Sequence, residues 1–213
     1  MLIAKRNRWK IVDVSWLKMP RCGSVITYDE QFEPEDFIIT VTKLLHGHVF
    51  GLQKYFPWGV TLYNMEVSCY DEKTRALDVL NTYAELAGAR GAVRDRMSLV
   101  AEERIINGMY HAPVHEQGQP RFRHMTRKDL TKISFERPVK VACASNGQHF
   151  AVAVRDSYGS LDKNTIVKFL SKGSDPTLVP EQQREQRAGL GLVTALKSAS
   201  KLVFNIAPGI GTE

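Results

Sequence analysis

The chain has 213 residues, of which 43% are hydrophobic and 24% charged, and its net charge is +6. This composition is ordinary for a globular protein, and no apolar run approaches the ~20 residues that a membrane helix needs. The start is too interrupted by charge for a signal peptide, and the net charge is too mild to choose among anionic partners. Three separated cysteines, Cys22, Cys69 and Cys143, favour reduced thiols in a cytoplasmic protein.

Residues 1–59 are predicted to form an N-terminal α/β extension. Segments 9–17 and 24–29 alternate like strands and are rich in β-branched residues. Segment 33–50 is predicted to be helical, because Pro34 suits a first turn and acidic residues favour a helix N-terminus. The extension either adds to the layers of the main domain or forms a homodimer contact, and the sequence leaves both open.

Two histidines of this extension, His46 and His48, lie two residues apart. They would share one side of a strand but not of a helix. No third ligand accompanies them, so they give little support to a metal site.

From residue 60 onward the pattern becomes regular. We predict a strand, two helices and a hairpin with an Asn-Gly turn, in the order 60–70, 72–88, 98–112 and 139–156. In the first helix Leu77, Leu80, Tyr83 and Leu86 have the spacing of one buried face. The remainder is predicted as a short helix, a polar loop, a helix and a final strand with a turn, at 164–172, 173–189, 190–201 and 201–213. The chain stops where a returning strand is expected, which indicates a trimmed C-terminus.

Eight basic residues fall between Arg121 and Lys140. A solvated loop accounts for them most simply, and a phosphate or partner surface is the alternative. Few aromatic residues lie among these basic residues, so the stacking of single-stranded bases is not indicated and nucleic acid is a disfavoured partner.

The helix 98–112 carries polar groups among apolar ones. At ~100° per residue, Leu99, Glu103, Ile106, Asn107 and Tyr110 fall on one face. A buried carboxylate and carboxamide need partners. Either they form a solvated edge or a local hydrogen bond, or they form a site with a proton-transfer group and an amide oxygen for a hard cation.

Two further segments that combine polar residues with glycine follow the Glu103–Asn107 pair, and we call the three segments stations. Asp156 and Gly159 come directly after a hairpin strand, and a Gly-Leu-Gly run opens the helix at 190–201. Each is weak alone, since aspartate often forms turns and glycines often cap helices. Glycines before a helix nevertheless let backbone N–H groups approach phosphates.

The order and spacing of the stations resemble the GHKL, or Bergerat-fold, ATP-binding family over residues 60–213, with the bacterial anti-sigma serine kinases as the most similar branch. AEERIINGMYHA resembles the family's N box and its His111-Ala112 ending is common in that branch. VAVRDSYG resembles the first glycine box, RAGLGLVTALKS the second, and PGIGTE the closing Gly-Thr turn. The implied fold is an α/β, two-layer α+β sandwich, whose mixed, mainly antiparallel sheet has the helices 72–88, 98–112 and 190–200 on one face.

The resemblance implies that ATP and Mg²⁺ are bound. Glu103 would be the general base and Asn107 would coordinate Mg²⁺ on the phosphates. Asp156 would accept the adenine amino group, Gly159 would let the backbone pass the base, and Thr212 would lie near that pair. The remaining implied ATP-binding residues are His111, Tyr158, Gly189, Leu190 and Gly191, with 160–188 as the ATP lid. Tyr158 either stacks on adenine or fills the pocket.

The resemblance implies that the chain is an ATP-binding signalling protein. The branch it resembles most implies an anti-sigma-type protein serine/threonine kinase, which acts by switching between regulatory protein partners. No phosphoacceptor-histidine helix pair precedes the domain, so an ordinary histidine kinase is disfavoured. The family pattern Asp-x-Gly-x-Gly is here Asp156-Ser157-Tyr158-Gly159-Ser160. The alternative is therefore a non-catalytic domain that serves as a nucleotide sensor or a protein-docking module.

Overall fold

The computed structural model describes residues 2–5, 25–28, 34–115, 118–119, 121–122, 124–167 and 199–213. The chain divides into two compact units, Met1–Val49 with Asp162–Val193 and Phe50–Leu161 with Thr194–Glu213. The predicted strand 9–17, loop 173–189 and most of the helix 190–201 lie outside the described residues. The predicted domain boundary after residue 59 stays a prediction.

The first unit contains a small parallel sheet and a helix. Strand β1 (Leu2–Lys5) pairs in parallel with β2 (Val25–Tyr28), and helix α1 spans Pro34–His46. A further helical turn covers residues 163–167. The strand predicted in 24–29 and the helix predicted in 33–50 are confirmed, whereas β1 was not predicted. Since α1 contains His46 and ends there, the two histidines do not share a strand.

The second unit is an α+β arrangement around a three-stranded antiparallel sheet in the order β3-β4-β5. Its elements, after a 3₁₀ turn at Leu52–Tyr55, are β3 (Tyr63–Val67), α2 (Tyr70–Leu86), α3 (Gly91–Ile106), a π-helical turn (Asn107–His111), α4 (Arg127–Leu130), β4 (Val139–Ser145), β5 (Phe150–Arg155), β6 (Ile206–Ala207) and β7 (Gly211–Thr212). A bridge from Asp156 to Thr212 joins the end of β5 to the β6–β7 hairpin.

The turn between β4 and β5 confirms the Asn-Gly prediction. Gly147 has a φ of +84°, which glycine adopts without the steric cost that other residues meet. The Asn146 side-chain oxygen accepts hydrogen bonds from the backbone N–H groups of Gln148 at 3.1 Å and His149 at 2.8 Å. This turn fixes the register that runs from Ser145 and Phe150 to Lys140 and Arg155.

The core lies between the sheet and the two long helices. Alternate residues of β4, Val139, Val141 and Cys143, are at most 1% exposed and pack with Leu80 of α2 and Ile105 of α3. From Val139 to Cys143 this alternation is what a strand covered on one face requires, and Ala144 on the other face is also 0% exposed.

The predicted helices need two corrections. Leu86 is 82% exposed although it was predicted on a buried face; Leu99, which was placed on one face with Glu103 and Asn107, is 53% exposed. In α2 the buried residues are Lys73, Ala76, Leu80 and Ala84, so the packed stripe is made partly of small residues that hydrophobic spacing alone does not mark. The second helix also begins at Gly91 rather than near residue 98, because the Gly-Ala-Val-Arg stretch is its first turn.

Among the helices that the structure describes, none has the length and apolar character needed to cross a membrane. Within the same residues no group of three or more histidine, cysteine, aspartate or glutamate side chains could hold a metal ion.

Candidate functional site

The last turn of α3 and the π-helical turn after it carry the predicted carboxylate and amide. Asn107 Nδ2 donates a hydrogen bond to Glu103 Oε1 at 3.3 Å, and both side chains are half-buried. Because a carboxylate only accepts, the amide presents its NH₂ group to Glu103 and directs Oδ1 elsewhere. The local hydrogen bond that the sequence allowed is present, and it orients an oxygen of the type that hard cations prefer.

Gly108 brings this helix end against the second station. A Cβ added there would lie 2.8 Å from Val139 Cγ2 and 3.7 Å from Asp156 Cβ. Glycine inside a helix costs about 1 kcal/mol relative to alanine, and this close approach explains its presence. Ala112 N donates to Asn107 O at 2.8 Å, a five-residue spacing that widens the helix here. Asn107, the residue directly before Gly108, is therefore one residue away from this contact with Asp156.

The loop after β5 is built around Asp156. Its Oδ1 accepts hydrogen bonds from the N–H groups of Tyr158 at 2.8 Å and Gly159 at 2.9 Å, which is an Asx-type turn. Gly159 has a φ of +60°, and a Cβ there would lie 2.3 Å from Ala207 O. Only glycine fits both the backbone conformation and the space. The loop is thus held against the β6–β7 hairpin.

Thr212 lies directly opposite Asp156. Asp156 N donates to Thr212 O at 2.8 Å, and the two side chains are 8% and 7% exposed. Directly opposite residues of an antiparallel pair share a face. Among the described residues, the buried Thr212 Oγ1 has no hydrogen-bond partner and Asp156 Oδ2 has no donor. A buried hydroxyl is normally satisfied, so Thr212 Oγ1 together with the free acceptor Asp156 Oδ2 can serve a ligand that both donates and accepts hydrogen bonds.

Tyr158, in the same loop, is half-buried. The Arg137 guanidinium is 5.3 Å from the Tyr158 ring centroid, and Arg137 donates to Ser157 O at 3.1 Å. Burial raises the pKa of Tyr158, and the charge of Arg137 opposes that shift. The Tyr158 ring also lines a cavity of about 350 Å³ together with Phe122 and Phe135. A second contact, from Ser160 Oγ to Ala112 O at 2.8 Å, ties the loop to the π-helical turn.

Two basic side chains flank Glu103. His111 is exposed, yet desolvation by neighbouring protein atoms lowers its pKa while the Glu103 carboxylate opposes the shift. Desolvation also lowers the pKa of Arg104, again opposed by Glu103, and Arg104 Nε is buried with no partner in the described part of the chain. The sequence patterns assigned no role to Arg104 or Arg137 and no contact to Ser160, because arginine and serine on a helix or loop normally indicate only a solvated surface.

The structure brings two of the three predicted stations together. Glu103, Asn107 and His111 are on one helix end, and Asp156, Tyr158, Gly159 and Thr212 form the adjoining loop and hairpin. Gly189, Leu190 and Gly191 lie outside the described residues, as does most of the predicted 160–188 lid.

Comparison of the chain with protein-family models, with curated proteins and with solved structures yields no match.

Proposed function

We propose that the unit Phe50–Leu161 with Thr194–Glu213 is a Bergerat-type, histidine-kinase-like domain that binds ATP with Mg²⁺. The observation that carries the proposal is the Asp156–Thr212 pair. It combines a buried hydroxyl that lacks a partner with a carboxylate whose Oδ2 lacks a donor among the described residues. The order of sequence motifs and the contact between Gly108 and Asp156 support the same conclusion.

The Asp156–Thr212 pair suits an amino-substituted heterocycle. The Asp156 carboxylate is acceptor-only and would accept a hydrogen bond from the amino group of adenine. The Thr212 hydroxyl both donates and accepts, and it would donate to a ring nitrogen. Since Asp156 Oδ1 is held by two backbone N–H groups, the carboxylate is already oriented before a base is bound.

The Glu103–Asn107 pair suits the phosphate end of the nucleotide. Asn107 Oδ1 would coordinate Mg²⁺, because the amide NH₂ group is committed to Glu103. When bound, the metal would neutralise charge on the phosphates. Glu103 Oε2 would then be the atom that accepts a proton from a water or a protein hydroxyl. The assignment of Gly189 and Gly191 to the phosphates rests on sequence alone.

This chemistry supports an ATP-binding signalling protein, in the form of an anti-sigma-type serine/threonine kinase that switches regulatory protein partners in the cytoplasm. A second candidate is a non-catalytic nucleotide sensor or docking module. It is favoured by Tyr158, which stands where the family has a small residue and packs under Arg137. The two candidates differ in turnover and not in the fold.

ATP binding is tested by isothermal titration calorimetry with and without Mg²⁺. We expect saturable, Mg²⁺-enhanced binding that Asn107→Ala loses. Asn81→Ala, an exposed asparagine of α2, is the matched control and keeps the wild-type affinity. Absence of binding at millimolar ATP would overturn the proposal.

Turnover is tested by phosphate release and by transfer to candidate partner proteins. For a kinase or ATPase, Glu103→Gln should keep ATP binding and lose turnover about 10²-fold or more, since the variant lacks a general base. A sensor or docking module would show no turnover in either protein, and its biological activity would survive the substitution.

A further inference from the structure

The face of β3-β4-β5 that points away from α2 and α3 carries a cavity of about 440 Å³. Its floor includes Ala142 and Ala153, which are directly opposite each other in the β4–β5 register. Phe50 and Leu62 supply apolar walls, and the volume is within the range of small-molecule sites. The cavity is not lined by Glu103, Asn107 or Asp156, so it is separate from the proposed nucleotide site.

Two positive charges lie next to each other beside this cavity, which is unfavourable when no anion is bound there. Lys140 is directly opposite Arg155 on the same face, and like charges in that position repel. Glu66, opposite Lys140 on β3, has Oε1 3.8 Å from Lys140 Nζ. Glu66 therefore compensates Lys140, whereas Arg155 has no carboxylate partner among the described residues.

Among the described residues the Arg155 side chain donates no hydrogen bond, and a ring contact holds it in place. Its guanidinium lies 3.9 Å from the centroid of the Phe50 ring, a cation–π contact. The other carboxylate of the cavity wall, Glu213, already accepts hydrogen bonds from groups other than Arg155. Its two oxygens accept hydrogen bonds from Gly51 N at 3.0 and 2.9 Å, and Oε2 also accepts from Asn205 Nδ2 at 3.0 Å.

We propose that this cavity binds a small organic anion, with its carboxylate or phosphate group on Arg155 and its apolar body over Ala142 and Ala153. A planar guanidinium pairs with such groups through two parallel hydrogen bonds, which a point charge cannot reproduce. The two alanines leave the space that a larger side chain would fill. The bound anion also supplies the negative charge that Arg155 lacks among the described residues, whereas Lys140 already has Glu66.

The test is a titration followed by ¹H–¹⁵N correlation spectra of the full chain. Hexanoate is the probe, hexanol is its uncharged control and inorganic phosphate is an anion without an apolar body. We expect saturable shifts of the Ala142, Ala153 and Gly51 amides with hexanoate and none with hexanol. Equal shifts with hexanol, shifts with phosphate but not hexanoate, or no saturable shift at millimolar hexanoate would each overturn the proposal.

Two variants approach the cavity from different sides. Arg155→Gln removes the cation, and Ala153→Leu fills the floor while it leaves all charges in place. Both should abolish the hexanoate shifts while a spectrum otherwise like the wild type reports an intact fold. Arg75→Gln, an exposed arginine of α2, should leave the shifts unchanged. Retention of hexanoate binding in a folded Arg155→Gln or Ala153→Leu protein would contradict the assignment, whatever the result for ATP.

Discussion

The two faces of strand β4 differ sharply although their residues alternate in one seven-residue stretch. Val139, Val141 and Cys143 are essentially inaccessible and pack under α2 and α3, whereas Lys140 is exposed and Ala142 borders a cavity. The covered face is closely packed, so that a small change in side-chain volume there alters many contacts. The other face is open at Lys140 and Ala142, whereas Ala144 on the same face is 0% exposed. In the open part Lys140 pairs with Glu66 and Arg155 contacts the Phe50 ring.

This difference separates what stabilises the second unit from what it can bind. The helix-covered face supports the Glu103–Asn107 helix end and the Asp156 loop at its margin. On the open face the Arg155 guanidinium contacts the Phe50 ring and has no carboxylate partner among the described residues. Substitutions on the covered face should therefore change stability strongly, and substitutions on the open face should change binding with little effect on stability.

The largest effect should come from truncation under the helices. Leu80→Ala removes a side chain that is 0% exposed and should lower the free energy of unfolding by about 2–5 kcal/mol. Leu86→Ala, on the same helix but 82% exposed, should change it by no more than about 0.5 kcal/mol. Urea denaturation of both variants measures the contrast. Equal losses would mean that α2 packs through a different face.

The next effect concerns the contact at Gly108. Gly108→Ala inserts a Cβ 2.8 Å from Val139 Cγ2, and overpacking of this kind costs about 1–3 kcal/mol. The helix propensity of alanine offsets about 1 kcal/mol of that cost. In a Val139→Ala background the added methyl group has room, so the same substitution should become neutral or stabilising. A double-mutant cycle without coupling would show that the two residues are not in contact.

A third effect is confined to alkaline solution. Burial raises the pKa of the Cys143 thiol from 9.0 to about 11. The native state therefore holds this proton more tightly than the unfolded state, and its contribution to stability is complete below pH 9.0 and falls as the pH rises toward about 11. Cys143→Ala should flatten that part of the stability profile, measured by urea denaturation across this pH range. An unchanged slope would contradict the burial of the thiol.

The smallest effect should come from the open face. Glu66→Gln breaks an ion pair whose side chains are 58% and 63% exposed, and such pairs contribute at most about 1 kcal/mol. We expect a change in unfolding free energy of about 0.5 kcal/mol or less, measured under the same urea conditions. A loss as large as that of Leu80→Ala would abolish the distinction between the two faces.

Much of the second unit follows from sequence patterns. The alternation in 139–156 and the Asn146–Gly147 turn predict β4 and β5, and the helical spacing in 72–88 predicts α2. The local hydrogen bond between Asn107 and Glu103 also follows from their four-residue spacing. These features depend on neighbours in sequence, and local periodicity reports such neighbours well.

Other features depend on partners that are distant along the chain. The exposure of Leu86 is set by which face of α2 meets the sheet, and the prediction of its burial from spacing alone was wrong. The need for glycine at position 159 arises from Ala207, which comes close only after folding. Similarly, Arg155 meets Phe50 across the sheet face, and nothing in either local sequence indicates this contact.

The central claim, that the Asp156–Thr212 pair recognises adenine, is tested most directly by calorimetric titration with ATP and with GTP in the presence of Mg²⁺. We expect the chain to bind ATP and to reject GTP, because the 6-oxo group of guanine would place an acceptor against the Asp156 carboxylate. Thr212→Val, which keeps the side-chain shape, should weaken ATP binding about threefold to tenfold through loss of one hydrogen bond. Equal affinity for the two nucleotides, or binding of neither, would contradict the claim.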